Sequence, residues 1–177
     1  MLRDVAEQIE AQIQFLHRSR SVFPHLLPSV VGCTSFKTAP FYKKQGLNYS
    51  FHSTTPFTAE SVEQFNDLGH WINQNFVVRL CAVLESNGIL SPIQQVDGHA
   101  EVDILRRLRN VFAHGSGRYD RCDPEKRKLF DRIVSHFQLS QQEYTGDGKC
   151  FPIPIDKVLV PIGDGCKRYA IACEPGS

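Results

Sequence analysis

The longest helical signal in the chain limits what it can fold into. Val62, Phe65, Leu68, Ile72, Phe76, Leu80 and Leu84 recur every three or four residues across 59–87, the spacing of one face of an α-helix. Thr58, or Ser61 with Gln64 as a capping box, starts it. Asn87-Gly88 ends it, because glycine takes the left-handed conformation that closes a helix at no steric cost. Gly69 offers a place for a bend. Trp71, Phe76 and Val77 make the helix apolar on more than one side, and one such side is open to a partner chain. A helix of this kind must bury its stripe against other elements.

Three further segments carry the helical period. Leu2, Val5, Ile9, Ile13 and Leu16, with Phe15 beside them, predict a packing helix over 2–20, with Arg18 and Arg20 on the favourable side of its dipole. Leu105, Leu108, Val111 and Phe112 predict a helix from about His99 to His114, closed at His114-Gly115. Asp123-Pro124 reads as a cap followed by proline at the first helical position. Leu129, Phe130, Ile133, Val134 and Phe137 then form the apolar stripe, and Glu125, Lys126, Arg127 and Lys128 the outer face. Between these helices, Ser91-Pro92 is expected to open a short helical turn that Asp97-Gly98 breaks.

Two stretches lack that period. Pro24, Pro28, Gly32, Pro40, Gly46 and Pro56 punctuate residues 21–58, an irregular insertion with room for one or two short strands. Lys37, Lys43 and Lys44 mingle there with Phe36, Phe41, Tyr42, Tyr49 and Phe51. Such a mixture can stack on bases, though loop aromatics tucked onto the body are the simpler account. In the tail, Ile153, Ile155, Val158, Leu159, Val160 and Ile162 are strand-like. Gly163-Asp164-Gly165 reads as a turn, and Tyr169–Cys173 as the returning strand. Pro152, Pro154 and Pro161 suit edge positions. The expected fold is mainly α: one domain spanning 1–177, core helices at about 59–138, and a C-terminal β-hairpin at about 151–174.

Composition narrows the function. A formal charge of +1 excludes a bulk electrostatic grip on nucleic acid. The excess is local: Leu105 to Lys128 carries eight basic residues against three acidic ones. Met1 leads straight into a polar, charged helix pattern, so no secretory signal is expected, and no apolar run is long enough to span a membrane. Cys33, Cys81, Cys122, Cys150, Cys166 and Cys173 form no Cys-x-x-Cys pair and are expected to be reduced thiols in a cytoplasmic protein. His99-Ala-Glu101 has the His-x-Glu of a zinc deaminase, but no Pro-Cys-x-x-Cys follows, and His-Glu-x-x-His is absent. No metal and no cofactor are expected. Gly115-Ser-Gly117 follows a helix rather than a strand and is no P-loop. Nothing local singles out Cys81 or Cys122 as a nucleophile.

What remains is the end of the third helix, with Arg106, Arg107, Arg109, Asn110 and His114. Guanidiniums beside an imidazole suit phosphate chemistry: fixed positive charge, and a group that moves a proton near neutral pH. The alternative is a core helix with a solvated basic flank and a capping histidine, favourable at a helix C-terminus on electrostatic grounds alone. Asn110 and His114, four apart, share a face. Arg109 lies five back from His114, about 140° round an ideal helix. The pair meets only if the helix frays or if a second copy supplies the complement.

Arg109-Asn-Val-Phe-Ala-His114 resembles the Arg-(polar)-x-x-x-His signature of HEPN domains, small helical bundles of which many are metal-independent RNA endonucleases in prokaryotic defence and toxin systems. The match is specific around residues 105–120, is supported by the helix pattern from about 59 to 138, and does not cover 1–58 or the tail. The resemblance implies a HEPN-like helical bundle and a homodimer in which two motif copies converge on one cleft. It implies that His114 is the general acid or base and that Arg109 holds the phosphate. Asn110 would orient His114 or a phosphate oxygen, and Arg106, Arg107, Arg118 and Tyr119 are the RNA- or phosphate-binding residues expected nearby. RNA is the expected partner, with room for an antitoxin or regulatory protein. A HEPN-like module that binds RNA, a nucleotide or a protein without catalysis is the second reading. One departure stands out. Ser116 sits where one toxin branch has a tyrosine modified by a nucleotidyltransferase, and the nearest tyrosine is Tyr119.

Overall fold

The computed structural model describes residues 4–37, 49–115, 118–120, 122–144 and 151–173. The chain divides into two compact units, Gln14–Asn73, and Met1–Ile13 together with Gln74–Ser177. The boundaries fall inside helix α1 (Val5–Val22) and helix α2 (Ala59–Ser86).

The Gln14–Asn73 unit holds a small antiparallel pair, β1 (Ser35–Lys37) and β2 (Ser50–His52), with Phe36 opposite Phe51. Those two rings stack at 4.9 Å, and both meet Phe65 of α2 edge-on, at 5.7 and 5.8 Å. Phe57 closes on Phe36 from another side at 5.4 Å. Phe36, Phe51 and Phe57 are therefore gathered with Phe65 in one cluster. Phe41, Tyr42, Lys43 and Lys44 lie outside the described residues. Thr58 starts α2: its hydroxyl accepts from the Ser61 N–H, and the Ser61 hydroxyl accepts from the Thr58 N–H. Gly69 is required by packing, since a Cβ there would run into the Arg20 guanidinium. Asn66 reaches back to the Leu26 backbone through both amide atoms, at 2.7 and 3.0 Å.

The larger unit is helical. Helix α3 (His99–Gly115) packs against α4 (Pro124–His136) and α6 (Val160–Ala172). A short helix α5 (Gln141–Tyr144) lies between them in sequence, and a π-helical turn at Ile155–Leu159 leads into α6. Val77, Leu80 and Leu84 of α2, Val102, Ile104, Leu105 and Leu108 of α3, Ile133 of α4, and Val158, Leu159, Ile162 and Tyr169 form a core with no solvent contact. Helix α2 ends as its sequence predicts: Gly88 has φ of +70° and donates to the Glu85 carbonyl, and Ile89 donates to that of Leu84. Asp123 caps α4, its carboxylate accepting from the N–H groups of Glu125 and Lys126.

The C-terminal β-hairpin expected at 151–174 is overturned: from Ile155 to Ala172 this segment is helical. The β-branched run looked strand-like, but Ile155, Val158, Leu159, Ile162, Cys166, Tyr169 and Ala170 are the buried set, and their spacing is that of a helix face. Tertiary packing overrides the intrinsic strand preference of such residues. The glycines read as a turn mark close approaches instead. A Cβ on Gly165 would lie 2.5 Å from the Glu101 Cβ, and one on Gly163 would lie 2.8 Å from Ile13 Cδ1. Pro161 is the second residue of α6, directly after the π-helical turn. A second correction concerns Ser91-Pro92. This peptide bond is cis and opens no helix.

Candidate functional site

Helix α3 carries the motif on its last two turns. Its first turns are held firmly. Gly98, at φ +82°, lies so close to α6 that a Cβ would stand 2.9 Å from the Tyr169 nitrogen. The Tyr169 hydroxyl donates to the Ile89 carbonyl at 3.0 Å and accepts from the Gln94 N–H at 2.9 Å, so the loop before α3 is pinned from below. Past Leu108 the helix emerges. Val111 and Phe112, expected in the core, are only partly covered, and Asn110 and His114 are exposed.

Two depressions flank this end of the helix. One, of about 280 Å³, is lined by Cys81, Glu85, Leu90, Arg106, Arg109 and Asn110 among others. The second, of about 320 Å³, is lined by Arg107, Asn110, Val111, His114, Lys126 and Leu129, with Asp123 and Glu125 at the start of α4. Asn110 borders both. Arg109 and His114 therefore open into different depressions of one chain, as their angular separation on the helix requires.

Arg106, Arg107 and Arg109 each have a carboxylate neighbour. Arg109 Nη2 is 3.7 Å from Glu85 Oε1, and Arg109 Nη1 donates to Asn110 Oδ1 at 3.4 Å, a long bond. Arg106 and Arg107 both turn back to Asp103, at 3.2 and 3.0 Å, and Arg132 of α4 joins them at 2.6 Å. Burial of Asp103 raises its pKa, but the hydrogen bond from Arg107 and the charges of Arg107, Arg132 and Arg106 outweigh that. The carboxyl is held below its ordinary range. Arg118 is exposed. Tyr119 is half-buried and stacks on Phe130 at 4.5 Å, with Phe151 edge-on at 5.4 Å, so one face of its ring is already covered. Ser116 lies outside the described residues.

Other chemistry is quiet. Burial, then the Glu85 charge, pushes the Cys81 thiol up to about 12, and burial raises that of Cys166 as well. Neither is a thiolate near neutrality. The five described cysteines are free. Among the described residues no group of three His, Cys, Asp or Glu side chains is placed to hold a metal ion, and no helix is long and apolar enough to cross a membrane.

Sequence reasoning passed over Asp103, Arg132 and Tyr169. Asp103 was legible, lying three and four residues before Arg106 and Arg107 on one helix face. Arg132 and Tyr169 join the site only through tertiary packing, and no local pattern announces that. No protein-family model, no curated protein and no solved structure matches this chain.

Proposed function

We propose that this chain is a HEPN-like, metal-independent endoribonuclease that works as a homodimer. The observation that carries the reading is the exposure of Asn110 and His114, with Arg109 partly exposed beside them, at the end of a helix whose apolar face, Val102, Ile104, Leu105 and Leu108, is buried. A buried, fully bonded set would have spoken for a packing role. His114 takes the proton from a ribose 2′-hydroxyl, or returns one to the leaving oxygen. The 2′-oxygen bonds to the adjacent phosphorus and the bond to the 5′-oxygen breaks. The products are a 2′,3′-cyclic phosphate and a 5′-hydroxyl. Arg109 offsets the charge that grows on the phosphoryl oxygens, and Asn110 orients its neighbours. DNA lacks the nucleophile and is inert.

Because Arg109 and His114 open into separate depressions of one chain, a second copy supplies the complement. That same separation favours a second reading, a binding module without catalysis. The test is RNA cleavage in excess chelator. Wild type is expected to cleave, and His114→Ala and Arg109→Ala are each expected to lose about a hundredfold or more. Mixing the two variants regenerates sites with one intact Arg109 and one intact His114 from different chains, so activity returns. Failure of the mixture to recover would sink the shared site. Absence of cleavage by wild type on any RNA would leave the binding module.

A further inference from the structure

Resting on the RNA reading above, we infer that Asp103, Arg106 and Arg132 form a phosphate subsite for single-stranded RNA, extending the motif grooves along α3. A third depression, of about 540 Å³, is lined by Ser91, Ile93, Gln95, His99, Arg106 and Arg132, with Asp103 between the two arginines. It shares Ser91 and Arg106 with the depression that holds Arg109, which in turn shares Asn110 with the one that holds His114. The three run consecutively along one helix.

The helix supplies the track. His99, Asp103, Arg106, Asn110 and His114 follow at steps of four, three, four and four, and so share one face. At 1.5 Å per residue that face is about 22 Å long, enough for several nucleotides in extended form.

The Asp103 cluster has what a phosphate needs. Arg106, Arg107 and Arg132 converge on a single carboxylate, which cancels one of three positive charges. Each guanidinium offers five N–H donors and spends few of them on Asp103. Their side chains remain 46%, 46% and 40% exposed, whereas that of Asp103 is only 17% exposed. The carboxylate thus sits beneath the arginines and fixes their forks, while the outward donors face solvent. With Arg109 and Glu85 included, four guanidiniums stand against two carboxylates along this part of the track. A planar fork matches a phosphate bidentately, which a lysine does not.

The experiment measures binding of an oligouridine octamer with 2′-O-methyl riboses. This probe blocks the nucleophile and separates binding from cleavage. Anisotropy is read across a salt series for wild type, Arg132→Gln, Arg106→Gln and Arg79→Gln, with thermal unfolding to confirm that each variant is folded. Wild type and Arg79→Gln, an exposed charge on α2 that lines none of the three depressions, are expected to bind alike. Arg132→Gln and Arg106→Gln are each expected to bind about tenfold more weakly, with the log-log salt slope shallower by about 0.7 for the lost phosphate contact. If the octamer binds wild type, Arg132→Gln and Arg106→Gln equally, with equal slopes, the subsite is overturned and the RNA reading stands. If wild type binds no octamer at any salt concentration, both fall together.

Discussion

The two ends of α3 differ in kind although they belong to one continuous helix. Its first half is built by exclusion. Val102, Ile104, Leu105 and Leu108 have no solvent contact, Gly98 lies against α6, and Glu101 covers Gly165. Its second half is built by exposure, with Asn110, Ala113 and His114 at the surface. The buried half gives the exposed half a fixed direction through the continuous backbone hydrogen bonds of the helix. A reactive group on a rigid element is held more narrowly than one on a loop. Residues far from the motif therefore govern whether it is presented at all, and residues of the motif contribute little to the fold.

The largest effect that would break this contrast is at Gly98. Gly98→Val forces a side chain into a left-handed backbone conformation and into the backbone of α6. A loss of about 3 kcal/mol or more is expected in urea unfolding. A variant as stable as wild type would show that α6 does not anchor the start of α3.

A paired measurement sharpens the comparison. Leu108→Ala removes a core side chain immediately before the motif and is expected to cost about 2–5 kcal/mol. His114→Ala, six residues further on, is expected to stay within about 0.5 kcal/mol of wild type. Equal costs would erase the distinction between the two halves.

The smallest effect tests the Asp103 cluster between them. The folded-state pKa of Asp103 is depressed. Its stabilisation is therefore complete above the unfolded value near 4 and is lost as pH falls through the folded value. Asp103→Asn should be less stable than wild type at pH 7, and the gap should narrow below about pH 4. A gap that is the same at pH 7 and pH 3 would mean that ionised Asp103 adds nothing to the fold.

Much of the helical frame was legible because it is local. The capped starts at Thr58 and Asp123, the glycine stop at Gly88 and the span of α3 follow from hydrogen bonds within a few residues. The tail was not legible. Its isoleucines and valines fit either period until the facing surface is known, and Gly163 and Gly165 look the same in a turn as in a close helix contact. The site divides in the same way. Spacing alone placed Arg109 and His114 on different sides of α3, and the separate depressions agree with it.

The sequence by itself determined where most of the helices begin and end and which face of each is apolar, because those properties depend on neighbours three or four positions away. Only the tertiary structure decided that residues 155–172 coil rather than extend. It alone brought Arg132 onto Asp103 and set Tyr169 beneath the loop at Ile89 and Gln94. Those outcomes depend on which distant surface a segment meets, and a chain read residue by residue does not carry that information locally.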